Sequence, residues 1–315
     1  MNESATQEPW HLALIHGTTA VPKAVGKLIE TLAGQIDLLA EPTHIRRIGA
    51  AQDDKRINAA RADAIIDEIK LRSEIKQDGI AVRAAERLVR QEYRRQENLE
   101  SIAQQAAEEL PENVSADPVD PDWTAQWITN CQDVSDELMR AMWARILARE
   151  VAQPGSFSRE SLSIAHILDK ADAELFTRFC SAVWITADGP TSIVFPSYHN
   201  DPLNAGFDFD EMRRLEELRL VRFAATGSFS LLVPTEPHTW SYHGQSHVMH
   251  RYAPTPGRTN FPLDTGSTIL TKAGREIFGL VAAMPNESYR RRWVELVRGQ
   301  GWTLELQNAE AAANI

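Results

Sequence analysis

The chain has 315 residues and carries 33 Lys and Arg against 44 Asp and Glu, a formal net charge of −11. At ~150 residues per domain this length suggests two folded units, and 43% hydrophobic with 24% charged residues excludes the disordered and fibrous classes. An acidic chain argues against indiscriminate coating of nucleic acid or anionic membrane.

Two cysteines, Cys131 and Cys180, are too few for a disulfide scaffold and fit a reducing compartment. No apolar run reaches the ~18 residues of a spanning helix. Met1 to Pro9 lacks the basic-then-apolar order of a signal peptide. These features predict a cytoplasmic protein with no transmembrane segment. The charge is uneven along the chain. Residues 111–202 hold 6 basic and 14 acidic side chains, whereas residues 43–110 hold 13 of each and residues 203–315 hold 12 of each. Partner surfaces are therefore expected in the balanced flanks.

Residues 18–40 read as an amphipathic helix, with Val21, Val25, Leu28, Ile29, Leu32, Ile36 and Leu39 at spacings of three and four. A helix packed on the body explains this pattern better than an interfacial membrane helix, which needs a richer basic face. From Thr43 to Leu110 the chain is highly charged and nearly free of breakers, with an interruption at Asp78-Gly79. One or two long helices with a thin apolar stripe suit a helical hairpin or an intermolecular coiled coil. Arg87, Arg90, Arg94 and Arg95 stand among Glu86, Glu92, Glu97 and Glu100, which reads as an ion-paired face rather than a phosphate site. Residues 111–122, with three prolines and four acidic residues, read as a linker.

Trp123, Trp127 and Ile128 open a short helix. Ser135 is the expected N-cap of the next, which carries Trp143, Ile146 and Leu147 and stops at Gln153-Pro154-Gly155. Ser158 caps another, and Asp169 to Trp184 holds one more, giving a compact helical middle domain over residues 123–185. Strands are expected at Ile193-Val194-Phe195, Leu220 to Phe223, Ser228 to Val233 and Thr268-Ile269-Leu270, with a helix from Asp210 to Leu218. Residues 234–266 carry five prolines and read as loop. Thr271 caps a further helix, Glu287 to Gly299 makes the last, and a short strand and polar tail follow. Helix, "L-E-E-L-R-L-V", strand and "I-L-T-K-A-G-R-E-I" resemble the second half of a winged helix, a fold used for DNA binding and protein docking alike.

The expected fold class is thus mainly α. It comprises a long-helix, coiled-coil-like arm (1–110), a linker (111–122), a helical domain (123–185) and a winged-helix-like α+β unit (186–315).

Arg90 to Ile102 (R-Q-E-Y-R-R-Q-E-N-L-E-S-I), Asp120 to Trp127 (D-P-D-W-T-A-Q-W) and Val134 to Ser158 resemble an uncharacterised bacterial family, domain of unknown function 2806. The early E-P-T-H-I-R-R-I, Glu41 to Ile48, fits the same family. The resemblance covers about residues 20–185 and the L-T-K-A-G segment. In layout the chain is also similar to the alpha proteins of bacterial abortive-infection systems, which pair an "N-L-E-x-I" helix with an "L-x-x-x-W-A-x-I-L-A" helix. Together these imply a bacterial accessory or anti-phage defence protein, and they supply no catalytic residue.

For chemistry, the histidines stand out. His238, His243, His247 and His250 fall within P-H-T-W-S-Y-H-G-Q-S-H-V-M-H-R-Y. His243 and His247 at i, i+4, with His250, are the candidate metal ligands. Neither a glutamate base nor a cysteine is nearby, and Gly244 favours a loop. A pH-sensing role is the other chemical option. Trp240, Tyr242 and Tyr252 are candidate partner contacts. No phosphate loop, dinucleotide fingerprint or nucleophile elbow occurs, and no cofactor is implied. Arg290, Arg291, Arg292 and Arg298 on the closing helix are the candidate nucleic-acid contacts, with Glu287 and Glu295 beside them.

The sequence therefore predicts a non-enzymatic interaction, scaffold or sensor component of a defence system. It would act through homo-oligomerisation and protein partners. The alternatives are a winged-helix DNA-binding regulator and, third, a metal-dependent enzyme at the histidines.

Overall fold

Apolar residues at helical spacing build the first part of the chain. The computed structural model describes residues 22–33, 60–70, 79–195, 201–252 and 256–307, and these divide between two compact units, Met1–Leu162 and Ser163–Ile315. The division falls within the helical stretch 123–185. The ends of the expected 18–40 helix, the E-P-T-H-I-R-R-I segment and the tail beyond residue 307 lie outside the described residues.

In the first unit, α1 (Lys23–Ala33) buries Ala24, Val25, Leu28 and Leu32. Its Lys27 ammonium donates to the carbonyls of Ser115 and Val151, 2.8 Å each. Helix α2 (residues 60–70) buries Ala62 and Ile66, and α3 is the 30-residue helix Gly79–Glu108. Lys70 pairs with Glu86 at 3.2 Å and Asp63 with Arg90 at 3.1 Å. Residue numbers rise on one helix as they fall on the other, so the two run antiparallel as a helical hairpin. At 100° per residue, Ile80, Ala84 and Leu88 stand on the side of α3 turned away from α2, and all three are exposed. The second half of α3 is different. Asn98, Leu99, Ile102, Ala103, Ala106 and Ala107 are buried, and Arg94 and Arg95 both grip Asp133, at 3.2 and 2.8 Å.

Helix α4 (Pro121–Cys131) starts where Asp120 accepts the Asp122 N–H and Pro121 needs no partner. Helix α5 (Glu137–Ala152) is capped by Asp136, one residue after the expected Ser135. Trp123 donates its indole N–H to Phe157 O at 2.9 Å, and Trp127 donates to Trp143 O at 3.2 Å. Glu150 is only 2% exposed. Its carboxylate takes the N–H groups of Gly155 (2.7 Å) and Phe157 (3.0 Å), fixing the turn between α5 and α6 (Arg159–Ile167).

In the second unit, α7 (Lys170–Cys180) begins with a capping box between Asp169 and Asp172. Strands β1 (Val183–Thr186) and β2 (Gly189–Ser192) form a hairpin, and α8 (Phe209–Glu217) leads into β3 (Val221–Phe223). Next come β4 (Phe229–Pro234), β5 (His238–Tyr242), β6 (Gln245–Arg251), β7 (Asn260–Gly266) and β8 (Thr268–Leu270). Helix α9 (Lys272–Phe278), α10 (Glu287–Gly299) and β9 (Trp302–Leu306) complete the unit. Thr271 caps α9 by accepting the Gly274 N–H at 2.9 Å. The glycine of L-T-K-A-G has a packing reason: a Cβ there would stand 1.9 Å from Leu220 O.

The expectation of a mainly α protein is overturned by the strands of this unit. Five pair antiparallel in the order β2-β1-β5-β6-β9, and two ribbons, β3–β8 and β4–β7, accompany them. The fold class is α+β. The helix–strand and strand–helix segments that suggested a winged-helix-like unit meet through β3 and β8, but four strands are interposed between them in sequence. Part of the region expected as loop is sheet. His243 and Gly244 both have positive φ, 45° and 80°, which is the backbone of a two-residue hairpin turn. The alternating residues on either side therefore pair from His238↔Met249 to Tyr242↔Gln245. Pro262 is tolerated because β7 belongs to a two-stranded ribbon with a free edge.

Candidate anion-binding surface

Strand alternation decides where the predicted site residues go. Trp240 and Tyr242 on β5, with His247 on β6, face inward and are buried. The Trp184 ring packs at 4.8 Å from Tyr242, 5.1 Å from His247 and 6.3 Å from Trp240. The Tyr242 hydroxyl donates to Ser181 O (2.8 Å) and accepts the Asn286 N–H (2.9 Å). Trp240 and Tyr242 are thus core residues, and burial pushes the Tyr242 phenol above its usual range.

His247 and His250 are three apart on β6 and point to opposite faces of the sheet, while His243 sits in the turn. His250 instead bonds the Thr303 hydroxyl at 2.9 Å across to β9. The three are not brought together. Among the described residues no group of three or more His, Cys, Asp or Glu could hold a metal ion. His247 Nδ1 bonds Gln245 O at 3.0 Å, and burial holds the imidazole below its ordinary pKa. Burial likewise raises both cysteine thiols, which keeps them as unreactive protonated groups.

The arginines of α10 separate into two kinds. Arg290 forks onto Glu287, with Nε at 2.8 Å, and Arg291 reaches the same carboxylate at 3.3 Å. Held by Arg290 and then Arg291, the Glu287 carboxyl has its pKa lowered to about 2. Arg292 binds Asp201 at 2.9 Å and Glu295 at 3.3 Å. Arg298, two turns further on, is exposed and has no ion pair among the described residues.

Arg298 has company that sequence spacing hides. Tyr252, 59% exposed, donates its hydroxyl to Arg298 O at 3.4 Å. Its neighbour Arg251 donates Nη1 to Gln300 O at 3.4 Å and holds its guanidinium 3.8 Å from the Phe261 centroid and 5.3 Å from that of Trp302. Arg258 stands over the same Phe261 ring at 4.3 Å, with Nε on Asn260 O at 3.0 Å. Two guanidinium groups sharing one ring are closer together than about a Debye length, ~8–10 Å. Neither has an acidic partner among the described residues. Residues 251–302 carry 8 basic and 4 acidic side chains, so the local balance is positive although the chain is acidic. Arg298 and Tyr252 are readable in sequence as separate candidates. Arg251, Arg258 and Phe261 escape such a reading because an unpaired arginine at a strand end or in the segment before a strand has no local signature.

The first unit offers a cavity of about 310 Å³ lined by residues including Lys27, Thr31 and Thr124. The side-chain polar groups of these three are committed to backbone carbonyls, and Glu30 is the charged side chain that remains in the lining.

The class these features define is an α+β protein with a basic, aromatic-lined surface in its second unit. Residues 82–230 match the profile of a family described as "Protein of unknown function (DUF2806)". The match runs from α3 into β4 and stops short of β6, β7, β9 and α10, which carry the surface. No curated protein and no solved structure matches the chain.

Proposed function

We propose that this is a non-enzymatic binding protein whose second unit takes up an anionic partner on the surface made by Arg251, Tyr252, Arg258 and Arg298. One observation carries the reading: these three arginines lack acidic partners among the described residues, whereas Arg290, Arg291 and Arg292 are each neutralised by Glu287, Glu295 or Asp201. Like charges held close together are stabilised by an anion between them. Arg251 is already oriented by Phe261, Trp302 and Gln300, so the surface is partly built before a partner arrives.

The test is elution of the full chain from immobilised heparin in a salt gradient. Arg258→Glu with Arg298→Glu changes exposed side chains, and the double variant should elute at clearly lower salt than the parent. Arg290→Glu with Arg291→Glu should shift elution much less, since those side chains already face a carboxylate. Equal shifts for the two pairs, or no retention of the parent, would refute the reading.

A further inference from the structure

The same surface combines two elements that a simple anion site does not need together, unpaired guanidinium groups and an exposed aromatic ring. Tyr252 is anchored at its hydroxyl by Arg298 O yet leaves more than half of its surface open. Arg251 adjoins it in sequence and sets Nη1 on Gln300 O, two residues from the Arg298 main-chain carbonyl that receives the Tyr252 hydroxyl. A flat ring beside backbone-neutralising cations is the arrangement on which an unpaired base stacks while its phosphates are held. We propose that this surface binds single-stranded nucleic acid, with Tyr252 as the stacking platform and Arg251, Arg258 and Arg298 on the phosphates; the proposal rests on the anionic-partner reading above.

A duplex fits less well, because its bases already stack on one another and present no free face to a surface ring. The phosphate contribution has to be local, since the chain as a whole is acidic. Binding should therefore weaken steeply with salt.

The experiment is fluorescence anisotropy of the full chain with labelled oligo-dT and oligo-U of about 20 nucleotides, longer than the ~4–16 nucleotides one small domain covers. A mixed-sequence duplex and inorganic polyphosphate serve as the other probes. Both single strands should bind more tightly than the duplex. Tyr252→Ala should lower single-strand affinity ~5–150-fold, the equivalent of one stacked base, and leave polyphosphate binding unchanged, while Tyr252→Phe should retain the parent affinity for both. Arg258→Glu with Arg298→Glu should weaken every anionic probe, and should flatten the logarithmic salt dependence by ~0.7 for each phosphate that is no longer neutralised. If Tyr252→Ala leaves oligonucleotide binding intact, or the duplex binds as well as the single strands, the nucleic-acid inference fails and the anionic site stands. If the parent binds neither oligonucleotide nor polyphosphate, both fail.

Discussion

Both units bury tryptophans, but they treat the polar atoms of those rings differently. In the first unit Trp123 and Trp127 donate their indole N–H groups to Phe157 O and Trp143 O, and the buried Glu150 takes two backbone N–H groups. In the second unit the indole nitrogens of Trp293 and Trp302, and Nε2 of His238, His243 and His247, are buried without a hydrogen-bond partner among the described residues. An unpaired buried polar atom costs ~1–3 kcal/mol. Trp123 and Trp127 are thus fixed by directional bonds, while Trp293 and Trp302 are held by shape and apolar area. Such packing tolerates exchange of a ring for another of similar volume more readily than a bonded core does.

Three measurements would break or sharpen that contrast. The largest effect is expected at Glu150. Glu150→Ala orphans the Gly155 and Phe157 N–H groups and should cost ~2–4 kcal/mol in urea denaturation followed by tryptophan fluorescence. A loss under ~1 kcal/mol would mean that those bonds contribute little. Next comes a matched pair of ring exchanges. Trp127→Phe and Trp302→Phe remove similar volume, but only the first abandons a hydrogen bond. It should cost ~1 kcal/mol more than the second, and equal losses would remove the distinction between the units.

The smallest effect is a pH slope at His247. Burial favours its neutral ring, so the folded pKa lies below the unfolded ~6.5 and the unfolded chain binds the proton more readily. Its contribution is complete above pH ~6.5 and is lost as pH falls toward and through the folded pKa. His247→Phe should flatten the fall of Tm between pH ~7 and ~5. An unchanged slope would show that His247 does not titrate on unfolding.

What can be read in sequence follows the same physics. The helices from Trp123 to Cys180 are legible because caps and apolar spacing are local. Thr271 is recognisable as a cap, and Trp143, Ile146 and Leu147 are buried in α5 as their spacing predicts. The hairpin of β5 and β6 is obscured by Pro234, Pro237, Pro254, Pro256 and Pro262, although H-T-W-S-Y and S-H-V-M-H alternate about a two-residue H-G turn. The site is obscured with it, since Trp240 and Tyr242 look like partner contacts and His247 like a metal ligand on a loop, and all three become core residues on strands. The four-arginine cluster of α10 looks stronger in sequence than in the fold for a related reason. Asp201 is 91 residues from Arg292, so only tertiary structure reveals which cation is neutralised.

The anchoring of Arg251 has a consequence for the heat and entropy of binding. A free arginine side chain gives up as much as ~2 kcal/mol of rotamer freedom when a ligand clamps it. Arg251 has relinquished much of that freedom on folding, pressed between Phe261, Trp302 and the Gln300 carbonyl. Arg258 is held in part by Phe261 and Asn260 O, and exposed Arg298 keeps the most freedom. The conformational penalty for an anion is thus unevenly distributed over the surface, smaller at Arg251 and Arg258 and largest at Arg298. A partner that first meets Arg251 engages a cation already locked in its rotamer.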